Sequence, residues 1–299
     1  MVGKEQVHLH RVMRVARPLF NNNNMNTEPI HIISLGAGVQ SSTMALMAAH
    51  GEIGPMPTAA VFADTGHETE DTYAYLEGLR SKLPFPIHVV KAMKDTLGEY
   101  ALKPHIRKRD GAIYHKWGIP AFADVNGKKG IIGRKCTTDF KVIPLVRFTK
   151  ALAKSLGKPP VIQWIGISLD EAHRMKPSRD KGITMRWPLI DARMSRWDCL
   201  RWLDRNGYEE APRSACVFCP LHADGYWKRL KEKQPNEFEK AVAFEAEMHE
   251  AFKKEEVLRH KPYLHDSLIA LKDVDFKDDI DRGQIELQFG NACEGLCGV

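Results

Sequence analysis

From His31 onward the chain alternates short apolar runs with stretches of helical period. His31-Ile32-Ile33-Ser34, Thr58 to Phe62 (TAAVF) and Pro86 to Val90 (PIHVV) are runs of four or five residues with turn-forming neighbours, the length and content of buried strands. Between the first two, Ser42 to Ala49 (STMALMAA) is a good helix former that Gly51 stops. Thr69, followed by Glu70 and Asp71, predicts a capped helix start with acids in the first turn. Val161-Ile162-Gln163-Trp164-Ile165-Gly166-Ile167 reads as a central strand. Strands and helices in alternation predict an α/β fold: a parallel sheet with right-handed crossovers, flanked by helices, whose ligand site lies beyond the carboxyl ends of the strands.

Other stretches carry weaker patterns. Residues 94–130, rich in Lys, Gly and aromatic side chains without a clear period, are expected to form a mobile loop. Asp170 to Asp180 is charged and turn-like, and residues 226–258 read as a long amphipathic helix broken at Pro235. Residues 1–29, which include the polar run Asn21 to Asn24, are expected to be a flexible extension, with Met25 a candidate start of translation. The expected organisation is then an α/β nucleotide-binding domain over 30–225, containing most of the cysteines, and a helical segment with a Gly- and Cys-containing tail over 226–299. No internal repeat is present.

Composition narrows the class. At 299 residues, with 43% hydrophobic and 27% charged residues, the chain has ordinary globular composition and ample length for a core. No stretch approaches the roughly 20 apolar residues of a membrane-spanning helix. The first 20 residues carry charges throughout, unlike a secretory signal, so a soluble, cytoplasmic protein with no membrane partner is expected. The net charge of +6 permits a nucleotide or nucleic-acid partner. Six cysteines are too few for a disulfide scaffold, and their clustering points to metal or redox chemistry.

Several motifs carry candidate chemistry. Ser34-Leu35-Gly36-Ala37-Gly38-Val39-Gln40-Ser41-Ser42 is a strand end, two glycines and then hydroxyls opening a helix. Glycines admit a phosphate close to the backbone and the helix start offers N–H groups, although a plain glycine-rich turn has the same composition. Asp64-Thr65-Gly66 ends the second strand beside that loop. In Gly133-Arg134-Lys135-Cys136-Thr137-Thr138-Asp139-Phe140-Lys141, cations on both sides of Cys136 predict an anion-attracting site that favours the thiolate. Cys216-Val217-Phe218-Cys219 is a Cys-x-x-Cys pair whose sulfurs can reach one metal or cluster. Gly166 ends the central strand, and Arg174, Lys176 and Arg179 follow as cations able to hold an anion or to form a solvated charged turn. Cys293 and Cys297 lie in the tail, while Cys199, in a helical pattern, reads as a packed thiol.

Taken in order, these segments resemble the phosphoadenylyl-sulfate (PAPS) reductase family of the PP-loop, adenine nucleotide alpha-hydrolase-like superfamily. Gly38 and Ser41 match the PP-loop pattern Ser-Gly-Gly-x-Asp-Ser, with Gln40 in the place of the Asp. Asp64-Thr65-Gly66, the Cys-to-Lys-Val-x-Pro-Leu run at Cys136 and Lys141, and the later Cys-x-x-Cys resemble the family's iron–sulfur branch, in which Lys135 here replaces one of two adjacent cysteines. The resemblance implies an adenine nucleotide held by Ser34, Gly36, Gly38, Gln40, Ser41, Ser42, Asp64, Thr65, Gly66, Gly166 and Arg174. It implies a [4Fe–4S] cluster, or alternatively a zinc ion, on Cys136, Cys216 and Cys219. The implied reaction is reduction of adenylyl sulfate (APS or PAPS) to sulfite, with Cys297 or Cys293 as nucleophile, Lys141 as an electrostatic helper and a thioredoxin-type reductant. The superfamily also implies an alternative, thiolation of tRNA or DNA driven by ATP with Mg²⁺, in which Lys103, Arg107, Lys108 and Arg109 track the phosphate backbone. A third reading is a non-catalytic nucleotide and zinc binder.

Overall fold

The computed structural model describes residues 28–111, 113–115, 118–255 and 260–277. Among the described residues nine strands follow one another: β1 (Ile30–Ser34), β2 (Ala59–Ala63), β3 (Ile87–Val90), β4 (Pro104–Ile106), β5 (Ile113–His115), β6 (Ala121–Val125), β7 (Lys128–Ile132), β8 (Val161–Ile165) and β9 (Ile183–Arg186). Five of them form one all-parallel sheet in the order β3-β2-β1-β8-β9. Ser34 pairs in register with Val61 of β2 on one side and Ile165 of β8 on the other. Strand order therefore runs one way through β1, β2 and β3 and resumes in the opposite direction at β8. A crevice opens at the carboxyl ends of β1 and β8, where such a reversal leaves the two flanking connections on opposite faces.

Side chains alternate across the sheet with the period of two that a strand imposes. Ile33, Ala60, Phe62 and Trp164 face one core, shared with α1 (Val39–Ala49), α2 (Glu70–Arg80) and, later in the chain, the helix Arg196–Arg205. Ile30, Ile32, Ala59, Val61, Val161 and Ile183 face the other core, closed by the helix Ile143–Ser155 through Leu145, Val146, Leu152 and Ala153. Trp164 is fully buried and its indole N–H donates to His31 Nδ1 at 2.9 Å, so its one polar atom is satisfied inside the core.

The segment 94–130 differs from its expected loop. It forms α3 (Leu97–Leu102) and two antiparallel hairpins, β4 with β5 and β6 with β7. Thr96 and Glu99 make a reciprocal capping box at the start of α3, and Asn126-Gly127, with φ of 57° and 77°, makes the two-residue turn between β6 and β7. Both signals are in the sequence, but strands of three to five residues with one polar face show no period long enough to register. The remaining helices are α4 (Ile143–Ser155), entered through a π-helical stretch Thr137–Val142, α5 (Pro188–Asp191), α6 (Arg196–Arg205), α7 (Asp224–Lys233) and α8 (Pro235–Glu255). The amphipathic stretch after 226 is thus broken at Gln234-Pro235, since Pro235 cannot donate to the preceding turn.

A further core joins Leu97, Ile119 and Phe140 to the Cys216–Cys219 segment and to Phe238, Phe244 and Met248 of α8. The chain after α8 is held there by Glu245, which is 2% exposed and accepts the backbone N–H of Leu264 at 2.8 Å and of Leu271 at 2.5 Å. Residues 1–27 and 278–299, with the expected extension, Met25 and the tail cysteines, lie outside the described residues.

Burial also sets a pH dependence. His31, His67, His88, His222 and His249 all have their pKa lowered, with desolvation as the largest cause in each case. Above the ordinary value of 6.5 these groups are neutral in both states, whereas below it the unfolded chain takes up protons that the folded chain resists. Stability is therefore expected to fall as pH drops below about 6.5, by about 1.4 kcal/mol per pH unit for each proton taken up on unfolding. Urea denaturation from pH 7.5 to 5 measures this slope, and a flat profile over that window would contradict it.

Candidate functional site at the carboxyl ends of β1, β2 and β8

The loop between β1 and α1 is shaped by small residues. Ala37 takes a positive φ of 57°, and Gly38 caps α1 from an extended conformation without a side-chain acceptor. Gly36 donates its N–H to Ser41 Oγ at 3.1 Å, and the same hydroxyl donates to Gly38 O at 3.3 Å. Ser41 thus closes the loop on itself. Gly166, just past β8, lies directly against the start of α1: a Cβ there would be 2.8 Å from both the backbone N and Cα of Ser41. Only glycine lets the two segments meet at the point where strand order reverses.

Beside this loop a small, largely apolar slot of about 80 Å³ lies between the ends of β1, β2 and β8, with Ser34, Gly36, Phe62, Ile165 and Met185 among its walls. Its polar inner edge is fixed by Gln163. That amide donates to Ser34 Oγ at 2.9 Å and to Ile32 O at 3.2 Å, and accepts from Thr149 Oγ1 at 3.2 Å. Lys141 stands at the outer edge of the slot.

Gln40 sits in a polar network rather than facing open space. Its carbonyl accepts from Arg196 Nη1 at 3.0 Å, and its amide donates to Glu171 Oε2 at 3.2 Å and Ser168 Oγ at 3.4 Å. Glu171 also accepts from Arg174 at 2.5 Å, so Arg174 reaches the loop through an acid and not directly. A carboxylate is therefore brought next to position 40 from the far side of the crevice. Burial pulls the Arg196 guanidinium below its ordinary pKa.

The Asp64-Thr65-Gly66 segment organises its neighbours. Asp64 accepts from Gly66 N–H and from Tyr73 O–H, each at 2.7 Å, and pairs with Lys91 at 3.2 Å. Gly66 has φ of 78°, and a Cβ on it would sit 2.6 Å from Thr96 Cγ2. Thr65 Oγ1 lies 3.2 Å from Cys216 Sγ, and Val217 N–H donates to His67 O at 2.8 Å, so the Cys-x-x-Cys loop is zipped onto the end of β2.

Cys216 and Cys219 are buried, Cys136 is half-buried, and all three are free thiols in one apolar cluster. Buried Glu68 pairs with Lys141 at 3.3 Å, which places this ion pair between the slot and the thiols. The free Cys136 thiol does not meet the thiolate-favouring surroundings expected from its cationic neighbours in sequence. Burial pushes its pKa up, and the opposing attraction of Lys141 is the smaller effect, while Arg134 and Lys135 are exposed. Burial, with Glu68 adding repulsion, pushes the Cys216 thiol up further. Cys199 is fully buried in α6 and its thiol is pushed up to about 12, as a packed cysteine should be.

Of the residues singled out in the sequence, Ser34, Gly36, Gly38, Gln40, Ser41 and Gly166 are brought to one crevice, with Asp64, Thr65, Gly66, Lys141, Cys136, Cys216 and Cys219 along its β2 side, whereas Ser42 is fully buried beneath the loop. Lys176 and Arg179 follow Arg174 beyond the loop network, and Lys103 and Arg107 of the β4 region are paired with Asp95 and Asp110. Cys293 and Cys297 lie outside the described residues. Sequence reasoning missed Glu68, Gln163, Arg196 and Ser214. Glu68 follows the Asp64 segment closely enough to be found, whereas the other three are joined to the loop only by the fold.

No family model matches this chain. An uncharacterised nin region protein, ORF290, of Escherichia phage lambda is 25% identical over 206 residues, covering 64% of this chain and 65% of its own length. The chain thus spans just under two thirds of that relative. A crystal structure of a phosphoadenylyl-sulfate (PAPS) reductase from Candida auris, in a phosphate complex, covers 71% of this chain and 90% of its own, with 16% identity and a TM-score of 0.39. At that TM-score the likeness is distant, and the site stands on the geometry above.

Replacing Gly66 by Ala is expected to cost about 2 kcal/mol, from the strained φ together with displacement of Thr96. Because Thr65 and His67 hold the Cys216 loop, the same change is expected to speed alkylation of Cys216, read by mass spectrometry. An unchanged Cys216 rate in a destabilised variant would contradict the link between the two segments.

Proposed function

We propose that this chain is an adenine-nucleotide-dependent enzyme of sulfur chemistry, and that its reaction is reduction of an adenylyl sulfate to sulfite. One observation carries the reading. A loop built for close approach of an anion, a slot with a polar inner edge and three reduced thiols meet at the carboxyl ends of β1 and β2, linked by Lys141–Glu68 and by Thr65–Cys216. The nucleobase occupies the apolar slot, and the 5′ phosphate lies over the N–H groups of residues 36–41. The sulfate is then directed toward Lys141, whose ammonium group offsets its negative charge.

Cys136, Cys216 and Cys219 fit a thiolate-ligated group. They are free cysteines brought together in one apolar cluster. These three residues would hold an iron–sulfur cluster, which would supply a redox-active, thiolate-ligated iron centre beside the sulfate. As ligands of that group, these three sulfurs would not be available as nucleophiles. That leaves the tail thiols, Cys297 or Cys293, for the chemical step.

Attack by that thiolate forms a bond to the sulfate sulfur and breaks its bond to the phosphate oxygen. The nucleotide leaves with the electron pair, and the cysteine carries a thiosulfonate. A dithiol of thioredoxin type attacks the cysteine sulfur, sulfite leaves with the electron pair, and the second thiol of the dithiol resolves the mixed disulfide. The enzyme cysteine is returned reduced, and the dithiol is oxidised to its disulfide.

A second reading, ATP-dependent transfer of sulfur to a nucleic acid, is favoured by the position of Glu171. Its carboxylate, 3.2 Å from the Gln40 amide, supplies the negative charge that the PP-loop pattern carries at position 40 itself. Anaerobically purified protein incubated with adenylyl sulfate and a dithiol is expected to release sulfite and nucleotide in equal amounts. The Cys293→Ser/Cys297→Ser double variant is expected to lose at least about a hundredfold, the scale of removing a covalent nucleophile. Undiminished sulfite release by that variant overturns the assignment, and pyrophosphate release from ATP that requires added tRNA or DNA favours the second reading.

A further inference from the structure

We propose that the cleft between α2 and α7 is a second anion site, built for a phosphate-bearing ligand of nucleotide size and separate from the loop at residues 36–41. The cleft has a volume of about 480 Å³, six times that of the slot and within the usual range for small-ligand sites. Five cations line it, Lys82, Arg196, Arg213, Arg229 and Lys233, against the carboxylates of Asp71, Glu209 and Glu210. Charge alone makes a solvated groove, so the decisive observation is at its inner end.

Arg213 Nε and Nη1 are buried and have no hydrogen-bond partner. Only Nη2 is engaged, donating to Leu221 O at 3.2 Å, and the guanidinium is held 4.9 Å from the centre of the Tyr226 ring. Guanidinium N–H groups removed from water and left without an acceptor are costly unless something else supplies one. An anion with several oxygens, a phosphate above all, supplies acceptors to the two free N–H positions of Arg213 and balances the cations around it.

The site is distinct from the nucleotide loop because a strap of chain separates them. A Cβ on Gly38 would meet Ser214 Cβ at 3.5 Å and Pro212 O at 3.9 Å, so residues 212–214 lie across the loop while Pro212 and Arg213 line the cleft beyond. Arg196 spans the division, lining the cleft and donating to Gln40 of the loop. The cleft is therefore placed to hold a second phosphorylated substrate next to the first.

The full chain is tested by calorimetric titration with sodium pyrophosphate. Wild type is expected to bind two equivalents. Arg213→Gln is expected to lose the cleft equivalent, by about tenfold or more in affinity, the scale of one charge-assisted hydrogen bond. Gly38→Asp, which places a negative charge in the loop, is expected to lose only the other. Should Arg213→Gln fail to fold, Lys233→Gln, at the exposed end of the cleft, is expected to weaken the same equivalent about threefold at low salt. A nucleoside 3′,5′-bisphosphate is expected to displace the one pyrophosphate that the Gly38→Asp variant retains, the cleft equivalent. Two equivalents that survive Arg213→Gln, or in its place Lys233→Gln, overturn the proposal. So does a single equivalent abolished by Gly38→Asp, or displacement only by a single-stranded oligonucleotide. Loss of nucleotide binding at the loop alone would count against the sulfur-chemistry reading and leave the cleft site standing.

Discussion

The approach of β8 to the start of α1 is the constraint on which the crevice depends. At Gly166 the two segments are so close that a methyl group would lie 2.8 Å from the Ser41 backbone. That contact is made where the parallel sheet reverses its strand order, between β1 and β8. With the segments held there, Gln163 can reach Ser34 across the two strands, and Gln40 can reach Ser168 and Glu171. A wider separation would remove both polar links and leave the slot without its inner edge.

The second half of the site is attached through β2. Asp64 fixes the turn by accepting from Gly66 and Tyr73, and the turn in turn fixes Cys216 through Thr65 and the His67 carbonyl. The thiols are thus positioned by a strand end and not by the flexible chemistry of the cysteine loop itself. Lys141 and Glu68 stand between the two halves, and their burial makes their pairing obligatory. Removing one partner would leave the other charged, buried and unpaired, a cost of about 3–5 kcal/mol.

Much of this was legible in the sequence because it is local. The strands at 31–34, 58–62, 86–90 and 161–167 are apolar runs that need no tertiary information, and each lies within a residue or two of its observed bounds. Gly36, Gly38 and Ser41 announce a tight loop at a helix start in the same way. The hairpins at 104–132 were obscured by their short, half-polar strands, even though Thr96-x-x-Glu99 and Asn126-Gly127 mark a cap and a turn. Arg196, Gln163 and Arg213 were illegible for a different reason: each acts across more than a hundred residues of sequence or through an absence of partners, and neither leaves a spacing to read. The ionisation of Cys136 was misjudged because neighbouring cations in sequence were weighed without the burial that outweighs them.

The central claim is that nucleotide seat and thiols form one site. Cys136 is the half-buried member of the three and caps the π-helical stretch that leads through Lys141 into the slot wall. The most direct measurement is the alkylation rate of Cys136, followed by mass spectrometry on the metal-free, reduced protein, with and without a saturating adenine nucleotide. The account predicts that the nucleotide slows labelling of Cys136 about tenfold while leaving the packed Cys199 unchanged, the scale of covering a partly exposed thiol. An identical Cys136 rate with and without bound nucleotide would contradict it.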